Sequence, residues 1–306
     1  MVVTLRRLMQ KARCADRTTL ALLVSLSALT LPHALSAAEW PDGAKVAVAL
    51  TFDLDAETVW WNNADTMTGN PSSLSQGRYG PNVAVPKILS VLEKRGIKAT
   101  FFIPAWVAEN YSQAVRSIAA AGHEIAAHGV KHISPVLLTP DEELQVLQES
   151  IRVLENIGGS KPRGYRAPSW AISDVTLELA AQEGFSYSSN RLDADLPYLH
   201  DNPRGLVELP ISWVLDDAPY FWFDEDSWNK TIHSAADVKA IWQEEFVAAY
   251  ETGGYVNLTM HPQIIGRPAR LRMLDELMGW MTEFDGVWFA TCDEVAEHVK
   301  KESGGR

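Results

Sequence analysis

Short apolar runs recur along the chain, and most are followed by a stretch with helical spacing. The runs are Val46 to Phe52, Ala99 to Ile103, Glu124 to Ala127, Gly164 to Arg166, Phe185 to Ser188, Leu206 to Ile211, Tyr255 to Met260 and Val287 to Ala290. Each reads as a strand buried on both faces. Between them, Ala84 to Gly96 and Thr139 to Gly159 carry apolar positions at helical intervals. The second of these opens on Thr139 as N-cap with Pro140 at the first helical position, and it closes on Gly158-Gly159. Repeated β-α units predict an α/β fold with a parallel sheet, closed or nearly closed into a barrel. The stretch from Ser189 to Tyr220 breaks the pattern and predicts long loops.

Polar residues of the kinds used in hydrolysis fall at the C-terminal ends of these strands. The stretch "TFDLDAE" releases Asp53, Asp55 and Glu57 directly after the first apolar run. Three carboxylates so close repel one another and stay ionised only with a cation among them. His128, Arg166 and His261 follow later strands, and Asp195 lies in the loop after the fifth. In an α/β barrel the strand ends share one face, where active sites lie. The stretch "HGVKH" spaces His128 and His132 four apart, which on a helical turn puts both imidazoles on one side. Two histidines at that spacing are often ordinary polar residues. Joined by a carboxylate from another strand, they suit catalytic Zn²⁺, or non-haem Fe(II), with coordination positions left open.

The N-terminus changes the picture of where such a barrel would work. Arg6, Arg7, Lys11, Arg13 and Arg17 precede the apolar stretch Leu20 to Leu31, and "ALSAA" follows at Ala34 to Ala38. That order predicts a secretory signal peptide over residues 1–37, with cleavage near Ala37 or Ala38 and one barrel domain over residues 38–306. The apolar stretch is short for a membrane anchor. Removing the leader takes away five basic groups and one acidic group, so the formal charge moves from −12 to −16. A chain this acidic should avoid nucleic acid and anionic lipid. The expected location is periplasmic or secreted, with no stable membrane insertion. Only Cys292 remains after cleavage, so no intrachain disulfide forms.

Taken together, these stretches resemble the polysaccharide deacetylase superfamily, the NodB homology domain, over nearly all of residues 40–300. The family's first acidic motif is matched by "TFDLDAE", its two-histidine motif by "HGVKH", its arginine motif by "RAPSW", its aspartate-bearing motif by "NRLDADLPY" and its late histidine by "TMHP". "LVELPISWVLDD" and "MHPQIIGRP" are similar to the subgroup of Helicobacter peptidoglycan deacetylase-like proteins and metal-independent allantoinases. The resemblance implies a distorted (β/α) barrel. It implies Asp53 as general base, Asp55, His128 and His132 as ligands of Zn²⁺ or another divalent metal, and Arg166 as the group that holds the base. Asp195 would pair with His261, the general acid. For Arg166 and Asp195, a buried ion pair that merely closes the barrel is the competing assignment.

The departures bear on substrate. Leu54 separates two acids that are adjacent in the family, Gly129 replaces a hydroxyl residue, and Ser169 stands where an aromatic is usual. Hydrolysis of a non-peptide C–N bond is the expected reaction, on an N-acetylated sugar or cell-wall glycan. Small cyclic amides or ureides are the alternative substrates, and a silent carbohydrate-binding barrel is a third reading. Retention of Asp55, His128 and His132 argues for a metal. The aromatic segment Trp213 to Phe223 is expected to fold over the site, reinforced by a neighbouring subunit in a homo-oligomer as the subgroup suggests. Glu57 serves either substrate contact or a turn, and Asp216 and Asp217 have no assigned role.

Overall fold

The computed structural model describes residues 38–61, 63–201, 204–224 and 229–304. The leader expected at residues 1–37 lies outside them. The strands are β1 (Val46–Asp53), β2 (Thr100–Ile103), β3 (Glu124–Ala127), β4 (Gly164–Tyr165), β5 (Tyr187–Ser188), β6 (Tyr198–Leu199), β7 (Val207–Glu208), β8 (Tyr255–Met260) and β9 (Val287–Ala290). The helices are α1 (Pro71–Tyr79), α2 (Val85–Arg95), α3 (Ala105–Asn110), α4 (Ser112–Ala120), α5 (Pro140–Gly158), α6 (Thr176–Gln182), α7 (Ala218–Phe221), α8 (Ala235–Thr252), α9 (Pro262–Ile265), α10 (Pro268–Met281) and α11 (Cys292–Gly304). Among these residues no helix is long and apolar enough to cross a membrane.

The sheet runs β6-β7-β5-β4-β3-β2-β1-β8. Its strands are parallel except β6, a two-residue return antiparallel to β7 that the apolar pattern does not announce. β1 is the pivot. It pairs with β8 along Ala47–Phe52, and its other edge takes β9 at Val46–Ala49 and β2 at Thr51–Asp53. Alternation sorts its side chains by face. Val46, Val48, Leu50 and Phe52 pack outward in the larger apolar cluster, where the helices bury their apolar faces. Ala47 and Ala49 face inward, among Phe102, Tyr187, Tyr255 and the Cys292, Val295 and Ala296 of α11. The same inward face then turns polar at Thr51 and Asp53, both buried. The barrel is thus apolar at one end and charged at the other.

The sheet curls into a single-domain, distorted (β/α) barrel that stays open between β7 and β8. Pro210 has no N–H to give a ladder and stands two residues past β7. The gap is stapled instead of paired. Asp216 forms an isolated parallel bridge with Thr259, the Asp217 N–H donates to the Thr259 carbonyl at 3.1 Å, and Asn257 Nδ2 donates to the Pro210 carbonyl at 3.1 Å.

α5 begins as its sequence predicts, with a capping box between Thr139 and Glu142. α1 is held by a close approach: a Cβ on Gly77 would stand 2.4 Å from the Glu57 Cα and 2.5 Å from the Ala56 carbonyl oxygen. These are backbone atoms and have no rotamer through which to yield. Gly77→Ala is therefore expected to destabilise by about 1–3 kcal/mol, as overpacking of a filled core does. A melting temperature within one degree of wild type would contradict this contact.

Candidate active site

Six of the seven site residues expected from sequence converge above the inner face of β1. Asp53 ends that strand, and its Oδ1 accepts from Arg166 Nη1 at 2.8 Å. Arg166 follows β4 and is completely buried. Its Nη1 also donates to Thr51 Oγ1 at 2.9 Å, its Nη2 donates to Ser189 Oγ at 2.9 Å, and its guanidinium carbon stands 4.0 Å above the Phe102 ring. The charge thus lies over an aromatic face and within a ring of oxygens.

Asp55 lies just past β1, and its Oδ1 is buried without a hydrogen-bond partner. The Nε2 atoms of His128 and His132 stand 3.4 and 3.8 Å from that oxygen. His128 Nδ1 is 2.7 Å from the Arg166 carbonyl, which accepts only, so Nδ1 carries the proton. In the neutral ring Nε2 then presents a lone pair to a carboxylate oxygen, and a cation between them would satisfy both. The unpartnered Oδ1, the oriented His128 and the nearby His132 make a donor set that fits a divalent metal, each residue offering one atom within 4.8 Å of the others. Burial works against ionisation of Asp55, yet His132, His128 and His261 outweigh it and hold the carboxyl at about 2. Burial draws His132 down to about 4, so its ring is neutral and able to ligate near pH 7.

The two histidines meet for a different reason from the one their spacing suggests. Residues 128–132 form a loop, not a helical turn. Gly129 (φ 72°) and His132 (φ 56°) take left-handed backbone, which brings the rings to 5.1 Å. Gly129 replaces the family's hydroxyl residue here, at a conformation glycine adopts without strain. Ala56, Ser169 and Trp170 also have positive φ around the same site. Such strain in non-glycine residues clusters where geometry is over-determined for function.

The late histidine is held by a different acid from the expected one. His261 Nδ1 is 2.7 Å from Asp217 Oδ1, and the His261 N–H donates to Asp217 Oδ2 at 3.1 Å. Asp216 Oδ1 lies 3.8 Å from the same Nδ1. The physical cause is the staple across the open seam: with Asp216 opposite Thr259, Asp217 arrives beside His261. Asp195 instead lines a separate cavity in the seam, with Pro210, Ser212 and Asn257. Burial opposes the charged form of His261, but Asp217, Asp216 and Asp55 overcome it and hold the imidazole well above the usual histidine range. Burial raises Asp216 to about 7, with His261 opposing and Asp217 reinforcing. Glu57 accepts from the Tyr111 hydroxyl at 2.8 Å and pairs with Arg78.

Asp53, Asp55, His128, His132, Asp216 and His261 line a cavity of about 320 Å³. Trp213, Asp216, Ala218 and Trp222, all from the aromatic segment after β7, form part of its wall. Trp213 packs on Trp170 with centroids 4.1 Å apart, and Trp222 stacks on Trp60 at 4.5 Å. Trp242 Nε1 and the Tyr220 hydroxyl both donate to the Val214 carbonyl and anchor the segment.

Residues 79–188 match the family model described as polysaccharide deacetylase. The chain is 39% identical to a candidate polysaccharide deacetylase from Mycobacterium smegmatis, whose crystal structure superposes with a TM-score of 0.83 over 88% of this chain and 94% of that one. It is 29% identical over 285 residues to the peptidoglycan deacetylase of Helicobacter pylori, covering 84% of this chain and 97% of that protein. The crystal structure of Puue allantoinase, 24% identical, superposes with a TM-score of 0.76 and shares the fold.

Asp217→Asn removes the charge beside His261 and leaves an acceptor for Nδ1. His261 should then lose its proton at lower pH than in the wild type, since the raised value depends on neighbouring carboxylates. Nuclear magnetic resonance titration of the imidazole measures this. An unchanged midpoint would show that Asp217 does not set the charge of His261.

Proposed function

The chain belongs to the polysaccharide deacetylase family, hydrolases of carbon–nitrogen bonds other than peptide bonds, and from that premise we propose that it removes the acetyl group from an N-acetylated sugar or a glycan end. One observation carries the proposal. A carboxylate held by a buried guanidinium, a divalent-metal donor set and a histidine kept cationic by an aspartate all face one cavity.

Asp55, His128 and His132 would hold the metal, with zinc as the proposed ion. When bound it supplies Lewis acidity toward water and an amide carbonyl. Asp53 takes the proton of the attacking water, since Arg166 keeps one of its oxygens occupied and the carboxylate oriented. The backbone N–H of Ser169, whose residue lines the cavity, donates to the developing oxyanion. His261 delivers a proton to the departing nitrogen, which leaves as an amine once protonated. Asp217 keeps that proton on His261 at neutral pH.

The cavity's volume supports a small reacting group or a chain end over the interior of a long polymer. The same size admits a cyclic amide or ureide, which stands as the second reading. Elemental analysis of purified protein should find one divalent ion, and its removal by a chelator should abolish acetate release from N-acetylated mono- and oligosaccharides. Asp53→Asn should lower that release by about 10²–10⁴, the usual worth of a positioned proton-transfer group. Full activity after chelation, or a loss below tenfold in the variant, would refute the assignment. Hydrolysis of hydantoins or imides without acetate release from any sugar would promote the second reading.

We place the protein outside the cytoplasm, on the strength of the leader pattern at residues 1–37. N-terminal sequencing of protein recovered from a periplasmic or culture fraction should begin near Ala38 or Glu39. Intact Met1 in a cytoplasmic fraction would overturn it.

A further inference from the structure

Trp222 lines both the reaction cavity and a second, larger one. That compartment measures about 780 Å³, and its lining includes Trp60, Gln76, Trp222, Gln263, Arg267 and Arg270. The two cavities differ in charge. The first has three aspartates and no lysine or arginine in its lining, whereas the second has two arginines. Neither guanidinium has a carboxylate partner at ion-pairing distance among the described residues. Arg267 rests on the Tyr79 ring at 3.8 Å, while Arg270 rests on the Phe221 ring at 4.6 Å and gives Nη1 to the Ile264 carbonyl at 3.1 Å. The same lining includes Asp224, one oxygen of which accepts from Trp222 Nε1 at 2.6 Å.

The placement of these arginines runs against helix electrostatics. Arg267 is the N-cap of α10 and Arg270 lies in its first turn, and that turn holds no acid. The N-terminal end of a helix carries partial positive charge, so cations there are unfavourable and an anion is favoured. Burial pulls the Arg270 guanidinium below its ordinary range, with Asp217 opposing and Arg267 adding to the shift. A second, independent sign comes from the wall. Gln263 is 3% exposed, and both ends of its amide are buried without a hydrogen-bond partner. The indole N–H of Trp60, in the same wall, is also unpartnered. Buried polar atoms left unsatisfied are rare and call for a partner.

We propose that this compartment is a binding subsite for a carboxylate, with Arg267 and Arg270 as its cationic ligands. Guanidinium and carboxylate match as two parallel hydrogen bonds, a geometry that a lone ammonium does not offer. The carboxylate is a substituent of the substrate whose amide occupies the neighbouring cavity, an identification that rests on the hydrolytic reading of that cavity. A free carboxylate bound as an effector is the other source of the same chemistry.

Binding, not turnover, tests this, so failure of the hydrolytic reading would register elsewhere. Calorimetric titrations of the full chain compare N-acetylglucosamine, N-acetylmuramic acid and succinate. The first two share ring and acetamide, and only the second has a carboxylate. N-acetylmuramic acid should bind at least tenfold more tightly than N-acetylglucosamine, and Arg267→Gln should erase that advantage. Gln76→Glu, which adds a repelling charge and removes no arginine, should do the same and serves if the arginine variant fails to fold. Succinate that binds wild type and neither variant, with no preference between the sugars, would support the subsite for a free anion. Anion binding that is absent, or indifferent to both substitutions, would overturn it.

Discussion

The guanidinium of Arg166 is the charge around which this barrel is arranged. It sits at the inner end of the fold with no exposed surface, and its partners come from β1, from the residue after β5 and from β8. A buried cation of this kind is tolerable only when paired and surrounded by acceptors, and losing one member leaves the other uncompensated at a cost of about 3–5 kcal/mol. Asp53 and Arg166 therefore specify each other. The same residue also acts through its backbone, since its carbonyl fixes the tautomer of His128. One position thus orients both the Asp53 carboxylate and the His128 imidazole. The geometry of the two cannot drift independently.

Much of this was legible in the chain. β1, β3, β8 and β9 stand where the apolar runs place them, because strands buried on both faces leave unbroken runs. The inward set of Asp53, Asp55, His128, His132, Arg166 and His261 follows from the rule that strand ends share a face. β6 was not legible, since two residues at an edge leave no periodic trace. The loop conformation of residues 128–132 was hidden for a related reason: spacing alone does not distinguish a helical turn from two left-handed residues. Asp217 was missed in favour of Asp195 because the partner of His261 is chosen across the open seam, by an isolated bridge between segments over forty residues apart. Its nearest local signal was the pair Asp216-Asp217, directly before a proline-bearing turn in an otherwise aromatic stretch.

The tryptophans illustrate how packing and recognition share residues. Trp60 and Trp222 stack nearly parallel, and Trp222 lines both compartments. A stacked pair is rigid, with few rotamers to lose, so it holds a shared wall at low entropic cost. Trp213 is half exposed and packs against Trp170 in the same cavity wall.

The open seam also gives the two halves of the site different histories during synthesis. Asp53, Asp55, His128, His132 and Arg166 all lie in the first two thirds of the chain, and the strands that carry them are sheet neighbours from β1 to β4. His261 follows β8, a late strand in the chain, and its aspartate reaches it through the segment after β7 that is stapled to Thr259. For a chain that emerges from its N-terminus, the half with Asp55, His128 and His132 has its residues well before the half with His261. Stapling of the seam and pairing of His261 with Asp217 are then a single event, which ties the charge of that imidazole to the joining of the two halves.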